Sequence, residues 1–266
     1  VVGRSLPKVD AVAKVTGRTR FADDLSLPRM LHCKILRATT PHAEIRSIDV
    51  TAAAEIPGVA AILVGSDLPI PYGILPVSQD EHALCLDKVR FIGDPVAAVA
   101  AVDEETAERA CRAIVVEYAE LDPIASIEDA LDAEDPRIHL YGDGHNVHKA
   151  VAMEFGDVDA ALAEADVVLE DTFFYEGNTH LPMEQHAALA DWRPDGKLTL
   201  WSSTQTPHYV HRALAKVLEM PPARIRVVAT PLPATLDAVE SLRVTFLAAR
   251  ADSCLPGPRH RLAVGT

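Results

Sequence analysis

Cysteine is scarce in this 266-residue sequence. Its four copies, Cys33, Cys85, Cys111 and Cys254, are scattered, and no two form a C-x-x-C pair. That spacing leaves no ligand set for an iron–sulfur cluster and none for a structural zinc ion. In a chain of this size it reads as reduced, mostly buried thiols of a cytoplasmic protein. Long apolar runs are absent too: none approaches the ~20 residues that a membrane-spanning helix needs. The opening residues, Val1-Val2-Gly3-Arg4-Ser5, show no basic segment followed by an apolar stretch, so they give no reading of a signal peptide. Positive charge is in the minority. Lys and Arg number 25 against 39 Asp and Glu, for a formal net charge of −14. A surface of that sign repels phosphate backbones, which argues against a nucleic-acid-binding role. The signatures G-x-x-x-x-G-K-[ST], G-x-G-x-x-G, H-E-x-x-H and G-x-S-x-G are all missing. What is present is a 48% share of hydrophobic residues, enough for a packed core of one or two domains.

Hydrophobic patterning gives an α+β alternation. Strands are expected at Met30–Arg37, Ala43–Asp49 and Val59–Val64, and a fully apolar one at Pro95–Val102. Between them, Pro69, Pro71, Gly73 and Pro76 make residues 69–81 a long surface loop. Asp103-Glu104-Glu105 opens a helix to about Ala113, where acidic groups suit the helix dipole, and Ile114–Tyr118 returns as a strand. That strand, helix, strand order permits a crossover unit. A boundary falls between about Pro123 and Val147, a stretch with a short acidic helix from Ser126 to Ala133. Beyond it the pattern predicts strands at Ala150–Phe155 and Val167–Tyr175, separated by a helix from Asp157, its cap, to Ala165. Strands at Ala187–Trp192 and Leu198–Ser202 follow. Pro207 then opens a helix whose Val210, Leu214, Val217 and Leu218 share a stripe, and Ile225–Val228 is a closing strand. From Leu232 on there is no lysine, and prolines at 233, 256 and 258 interrupt any long element, although Leu236–Ala249 has amphipathic spacing.

Eleven histidines raise the question of a metal. His145 and His148, and likewise His208 and His211, have a three-residue spacing that suits ligation. The alternative, solvated or core histidine, is the better reading of both pairs. The segment His180-Leu181-Pro182-Met183-Glu184-Gln185-His186 sits between two expected strands and is a candidate binding loop, in which Glu184 has the chemistry of a general base. On spacing alone a solvated hairpin loop is the better reading. Ser203-Thr204-Gln205-Thr206-Pro207 lies at a strand-to-helix junction, where free N–H groups and a side-chain amide can hold an oxo group or an anion. On these residues alone an ordinary helix cap is the better reading.

The order of a further set of segments is specific. Lys14-Val15-Thr16-Gly17-Arg18-Thr19-Arg20-Phe21-Ala22-Asp23-Asp24 is followed by Pro41-His42-Ala43-Glu44-Ile45 and Gly58-Val59-Ala60-Ala61. Then come Asp87-Lys88-Val89-Arg90-Phe91-Ile92-Gly93-Asp94-Pro95-Val96-Ala97, Pro182-Met183-Glu184 and Thr204-Gln205. Over about residues 1 to 231 this series resembles the large, molybdenum-cofactor subunit of the xanthine dehydrogenase/aldehyde oxidase class. Within that class, residues 71–76 and 204–211 look most like the 4-hydroxybenzoyl-CoA reductase large subunit.

The resemblance implies an α+β fold: an α/β hammerhead domain followed by an incomplete molybdopterin-binding α+β domain. Residues 1–122 would be the N-terminal arm and hammerhead, with the hammerhead itself at about 14–122. Residues 123–144 would be a linker, 145–231 the start of the molybdopterin-binding domain, and 232–266 an atypical tail. It also implies a molybdenum–molybdopterin cofactor that does the redox chemistry while the protein supplies position and electrostatics. Gln205 takes the place of a glutamine whose amide points at a molybdenum oxo ligand, so Gln205 is the expected cofactor-binding residue. Iron–sulfur and FAD centres would sit on partner subunits, and the substrate would be an aromatic small molecule or a CoA thioester. No residue of this chain is expected to be catalytic or to ligate a metal.

The sequence also departs from the family. After Arg224-Ile225-Arg226-Val227-Val228 and Pro231-Leu232 the family has a loop G-G-G-F-G-G, whose backbone approaches the cofactor closely; here Pro233-Ala234-Thr235-Leu236-Asp237 follows. The glutamate that serves the family as base has no counterpart. A truncated or frame-shifted gene, or a misread sequence, would give this change, and the tail is expected to be disordered or loosely attached beyond about Ala249. Two functions are open at this point. One is the N-terminal part of a molybdenum-dependent oxidoreductase subunit acting on aromatic or heteroaromatic substrates, with reductive dehydroxylation of 4-hydroxybenzoyl-CoA as its narrower form. The other is a non-catalytic, truncated hammerhead-fold protein with a binding or assembly role.

Overall fold

A computed structural model describes residues 2–73, 79–133, 137–140, 146–177, 185–231 and 261–265. In chain order its elements are α1 (Ala11–Val15), β1 (Met30–Arg37), β2 (Ala43–Asp49), α2 (Thr51–Ala54), β3 (Val59–Val64), β4 (Lys88–Val89), β5 (Pro95–Ala101), α3 (Glu104–Ala113), β6 (Val115–Glu120), α4 (Ile127–Asp132), α5 (Val158–Glu164), β7 (Ala187–Trp192), β8 (Leu198–Ser202), α6 (Pro207–Val217), β9 (Ile225–Ala229) and β10 (Arg261–Gly265). The α+β reading holds. A seven-stranded sheet has the order β3-β5-β1-β10-β7-β8-β9, and a three-stranded sheet has the order β4-β2-β6.

β5 explains why a fully apolar strand was written into the sequence. It lies between β3 and β1, antiparallel to both, and every one of its residues is buried. α3 covers it: Ala107, Ala110 and Cys111 are buried, and the last two pack with Val99, Ala97 and Ile114. The helix begins where the acidic turn predicts, with Asp103 as the cap and its carboxylate accepting from the Thr106 N–H at 2.7 Å. The strands on either side of α3 belong to different sheets, however. β5 sits in the large sheet and β6 pairs with β2 in the small one, so this unit is a bridge between sheets and no crossover within one.

Two expected strands are not formed. Residues 150–155 and 167–175 carry no regular structure, and Leu169 and Phe173 stand 91% and 90% exposed. Their β-branched and aromatic composition suits a strand, but no described strand lies beside them, and an unpaired strand has nothing to stabilise it. The helix between them does form, capped by Asp157 through the Ala160 N–H at 2.9 Å. The tail departs from expectation in the opposite sense. Arg261–Gly265, expected to be loosely attached, is strand β10, parallel to β1 and antiparallel to β7. The helix expected at 236–249 lies outside the described residues.

One core joins the early and late halves of the chain. Leu31, Leu63 and Leu68 pack in the same cluster as Leu198, Leu200, Val210, Leu214 and Ile225. Cys33, Cys85 and Cys111 are buried free thiols, as expected. Desolvation pushes Cys111 up to about 11, so it stays protonated and unreactive near neutrality.

Candidate functional site

β8 carries the chain to the site through a run of buried residues. Leu198 and Leu200 are core, and Ser202, Ser203 and Thr204 are buried after them. Ser203 is locked to the start of β7: its N–H and hydroxyl donate to Ala187 O at 3.0 and 3.1 Å, while the Ala187 N–H donates to Ser203 Oγ at 2.8 Å. On the other side Thr230, just after β9, donates to Ser202 O through its N–H at 3.1 Å and its hydroxyl at 3.2 Å. Gln205 emerges from this clamp as an exposed side chain. Two residues on, Pro207 starts α6 with no N–H that would need satisfying.

The cap itself is unusual. Thr206 holds the capping position, but its hydroxyl makes no capping bond. Instead the Thr206 N–H donates to Thr204 Oγ1 at 3.1 Å. The reading of this junction as an ordinary side-chain cap is therefore incorrect, because Thr204 uses its hydroxyl to close the turn before the helix begins. α6 buries Val210, Leu214 and Val217, and the chain returns as β9, parallel to β8. Gln205 thus stands at the carboxyl end of β8 in a β–α–β unit, beside a helix N-terminus. Such strand ends are where open sheets bind ligands, and the helix terminus favours anions and electron-rich atoms. An amide donor in that place fits, in kind, an oxo or other anionic group.

His208 is exposed, and His211 places Nε2 at 3.1 Å from Pro222 O, as the tautomer that donates. His148 is exposed and His186 lies just before β7. His145, His180 and Glu184 lie outside the described residues. Among the described residues no group of three or more His, Cys, Asp or Glu side chains could hold a metal. The segments 41–45 and 87–97 prove to be structural. His42 Nδ1 meets Asp122 O at 2.8 Å, and the buried Asp94 carboxylate accepts from the Arg90 N–H at 3.1 Å. Gly93 between them adopts φ +97°.

Sequence reasoning missed a cavity of about 370 Å³ between the loop after β3 and α6. Tyr72, Gln79, Tyr209, Arg212 and Lys216 line it. The signal was present in the spacing of Tyr209, Arg212 and Lys216, which places all three on one face of a helix.

Comparison with known families is decisive at this point. Residues 16–122 match the model described as aldehyde oxidase and xanthine dehydrogenase, a/b hammerhead domain, and residues 138–232 match the molybdopterin cofactor-binding domain. The chain belongs to the xanthine dehydrogenase/aldehyde oxidase family. Its fold is accordingly a hammerhead domain followed by part of a molybdopterin-binding domain. Similar members include the nicotinate dehydrogenase large molybdopterin subunit of Eubacterium barkeri, 40% identical over 86% of this chain and 53% of that protein. A probable xanthine dehydrogenase subunit of Bacillus subtilis is 37% identical over 90% of this chain and 32% of its own length. Among solved structures, quinoline 2-oxidoreductase from Pseudomonas putida 86 superposes with a TM-score of 0.85 at 28% identity, covering 99% of this chain and 34% of that one. Aldehyde oxidoreductase from Desulfovibrio gigas gives a TM-score of 0.80 at 26% identity, with 98% and 30% covered. The chain therefore spans about half the length of the first of these relatives, at 53%, and about a third of the second, at 32%.

Proposed function

We propose that this chain supplies the hammerhead and the Gln205 side of the cofactor site in a molybdenum-dependent oxidoreductase acting on an aromatic or heteroaromatic compound. The placement of Gln205, exposed at the carboxyl end of β8 and beside the start of α6, carries the reading. When bound, the molybdenum–pterin group would supply the two-electron redox chemistry. The chain's part is to hold an amide donor toward charge that develops on an oxo ligand. The clamp of Ser203 and Thr230 fixes the backbone for that purpose, so the donor needs no reorganisation during the reaction. The residue division that goes with this reading is 1–122, 123–144 and 145–231. Iron–sulfur and FAD centres belong to partner subunits in it.

The similar proteins named for nicotinate and xanthine support a ring substrate. Reductive dehydroxylation of 4-hydroxybenzoyl-CoA is the narrower form, and it is supported by residues 71–76 and 204–211 alone. The test is a chimera in which residues 1–231 are followed by the remaining sequence of a related large subunit. Gln205→Ala in that chimera should slow turnover by roughly 10²–10³-fold, the scale for loss of one preorganised donor. Molybdenum content and melting temperature should stay unchanged. Unchanged turnover at full molybdenum occupancy would overturn the assignment. The 266-residue chain itself, with Pro233-Ala234-Thr235 in place of a glycine loop, should retain no molybdenum on purification.

A further inference from the structure

The lining of the cavity beside α6 runs against the charge of the chain as a whole. The protein is strongly acidic, with a formal net charge of −14, yet among the described residues the lining of this cavity includes Arg212 and Lys216 and no carboxylate. Neither cation has a carboxylate partner among the described residues. Arg212 is instead held over the ring of Tyr209, with the guanidinium carbon 4.6 Å from the ring centroid. That contact leaves the edges of the guanidinium free to meet an anion while its face rests on the tyrosine. On the opposite wall Tyr72 is 1% exposed, and the Gln79 amide donates to Gly73 O at 2.9 Å. A volume of about 370 Å³ lies at the small end of the range for small-molecule pockets, roughly 300–1,000 Å³.

These features select a ligand. Two cations ask for a negative charge, and the guanidinium fork pairs best with a planar carboxylate that takes two parallel hydrogen bonds. Tyr209, 43% exposed, offers aromatic surface for a flat ring. A Lys216 ammonium one turn beyond Arg212 adds attraction without adding shape. We infer that this cavity binds a planar aromatic carboxylate through Arg212, with Tyr209 and Lys216 supporting it. The site deepens the functional reading above and rests on it, since it names an anionic member of the ring compounds that the oxidoreductase would take. It also lies on the helix that follows Gln205, with Tyr209 four residues further along.

Binding can be read without any cofactor. Benzoate, benzamide and acetate are titrated into the purified 266-residue chain and followed by ligand-observed NMR, with Arg212→Met, Lys216→Met and Tyr209→Leu variants in parallel. Benzoate should bind saturably, and benzamide and acetate at least tenfold more weakly. Arg212→Met should weaken benzoate at least tenfold, Lys216→Met severalfold, and Tyr209→Leu should weaken benzoate more than acetate. All three side chains are exposed, so melting temperatures should match the wild type. Benzoate affinity left unchanged by Arg212→Met would overturn the proposal. So would acetate binding as tightly as benzoate, since the cavity would then be a general anion surface. Failure here would leave the molybdenum reading standing, because that reading is judged by Gln205→Ala turnover in the chimera and not by carboxylate binding.

Discussion

Asp103 and Gly58 show how single residues set the path of the chain near its first sheet. Gly58 enters β3 at φ +97°, where a Cβ would sit 2.9 Å from Val102 Cγ2. The glycine in the segment Gly58-Val59-Ala60-Ala61 is therefore there for backbone reasons and carries no chemistry. Asp103 starts α3 just after Val102, whose N–H donates to Gly58 O at 3.0 Å. The Thr106 backbone N–H, and then its side chain, hold the Asp103 carboxyl below the usual carboxylate range. A group with a lowered folded-state pKa stabilises the fold at pH values above its unfolded value. That contribution disappears as the pH falls through the folded value. Asp103→Ala should thus lower the melting temperature by about 2–4 °C near neutrality. The difference between variant and wild type should shrink once the pH drops below about 4. A gap that persists in acid would mean that the charge of Asp103 plays no part.

At the level of elements, the test of the β8–α6–β9 unit is Leu214, which is fully buried on α6 against Leu198, Leu200 and Ile225. Leu214→Ala should cost about 2–5 kcal/mol in urea denaturation, the range for a buried leucine whose site collapses only in part. A cost below about 1 kcal/mol would show that α6 is not anchored through this face. The unit was legible in the sequence for a reason that this residue illustrates. Its periodicity, the proline at its start and the short apolar strands around it are all local signals, and β1, β2 and β3 were legible on the same grounds. Residues 167–175 were misread because Val167, Leu169, Phe173 and Tyr175 signal a capacity to pair, while pairing itself depends on a neighbour the sequence does not name. The site divides in the same way. Gln205 was found through a resemblance carried by its neighbours, whereas the only local trace of the cavity is the helical spacing of Tyr209, Arg212 and Lys216, because its other wall, at Tyr72, lies some 140 positions before Arg212. The exposed segment makes its own prediction. Limited proteolysis should cut first within residues 147–175, where Val167, Leu169, Phe173, Phe174 and Tyr175 stand in solvent. Initial cleavage inside β5 or β8 would contradict this.

At the scale of the whole molecule, the large sheet is continuous, among the described residues, only through β10. Met30–Cys33 of β1 pairs with Arg261–Val264 on one side of it, and Ala187–Asp191 of β7 pairs with Gly265–Arg261 on the other. Without those five residues the sheet order places no other strand between β1 and β7. The strands of the first family domain and those of the second would each be left with an open edge, a row of backbone N–H and C=O groups without partners. This long-range closure was invisible in the sequence, where Arg261–Gly265 follows a proline-interrupted stretch and is too short to show a period. A chain ending at residue 260 tests it through amide hydrogen exchange. Protection should fall along Met30–Cys33 and Ala187–Asp191, whose hydrogen bonds go to β10. The β3–β5 and β8–β9 ladders should keep most of theirs, since their partners remain. The shared core of Leu31, Leu63, Leu198 and Leu214 would still hold the two halves together, so the melting temperature should drop while a cooperative transition survives. Unaltered exchange at β1 and β7 would show that β10 does not bridge the sheet.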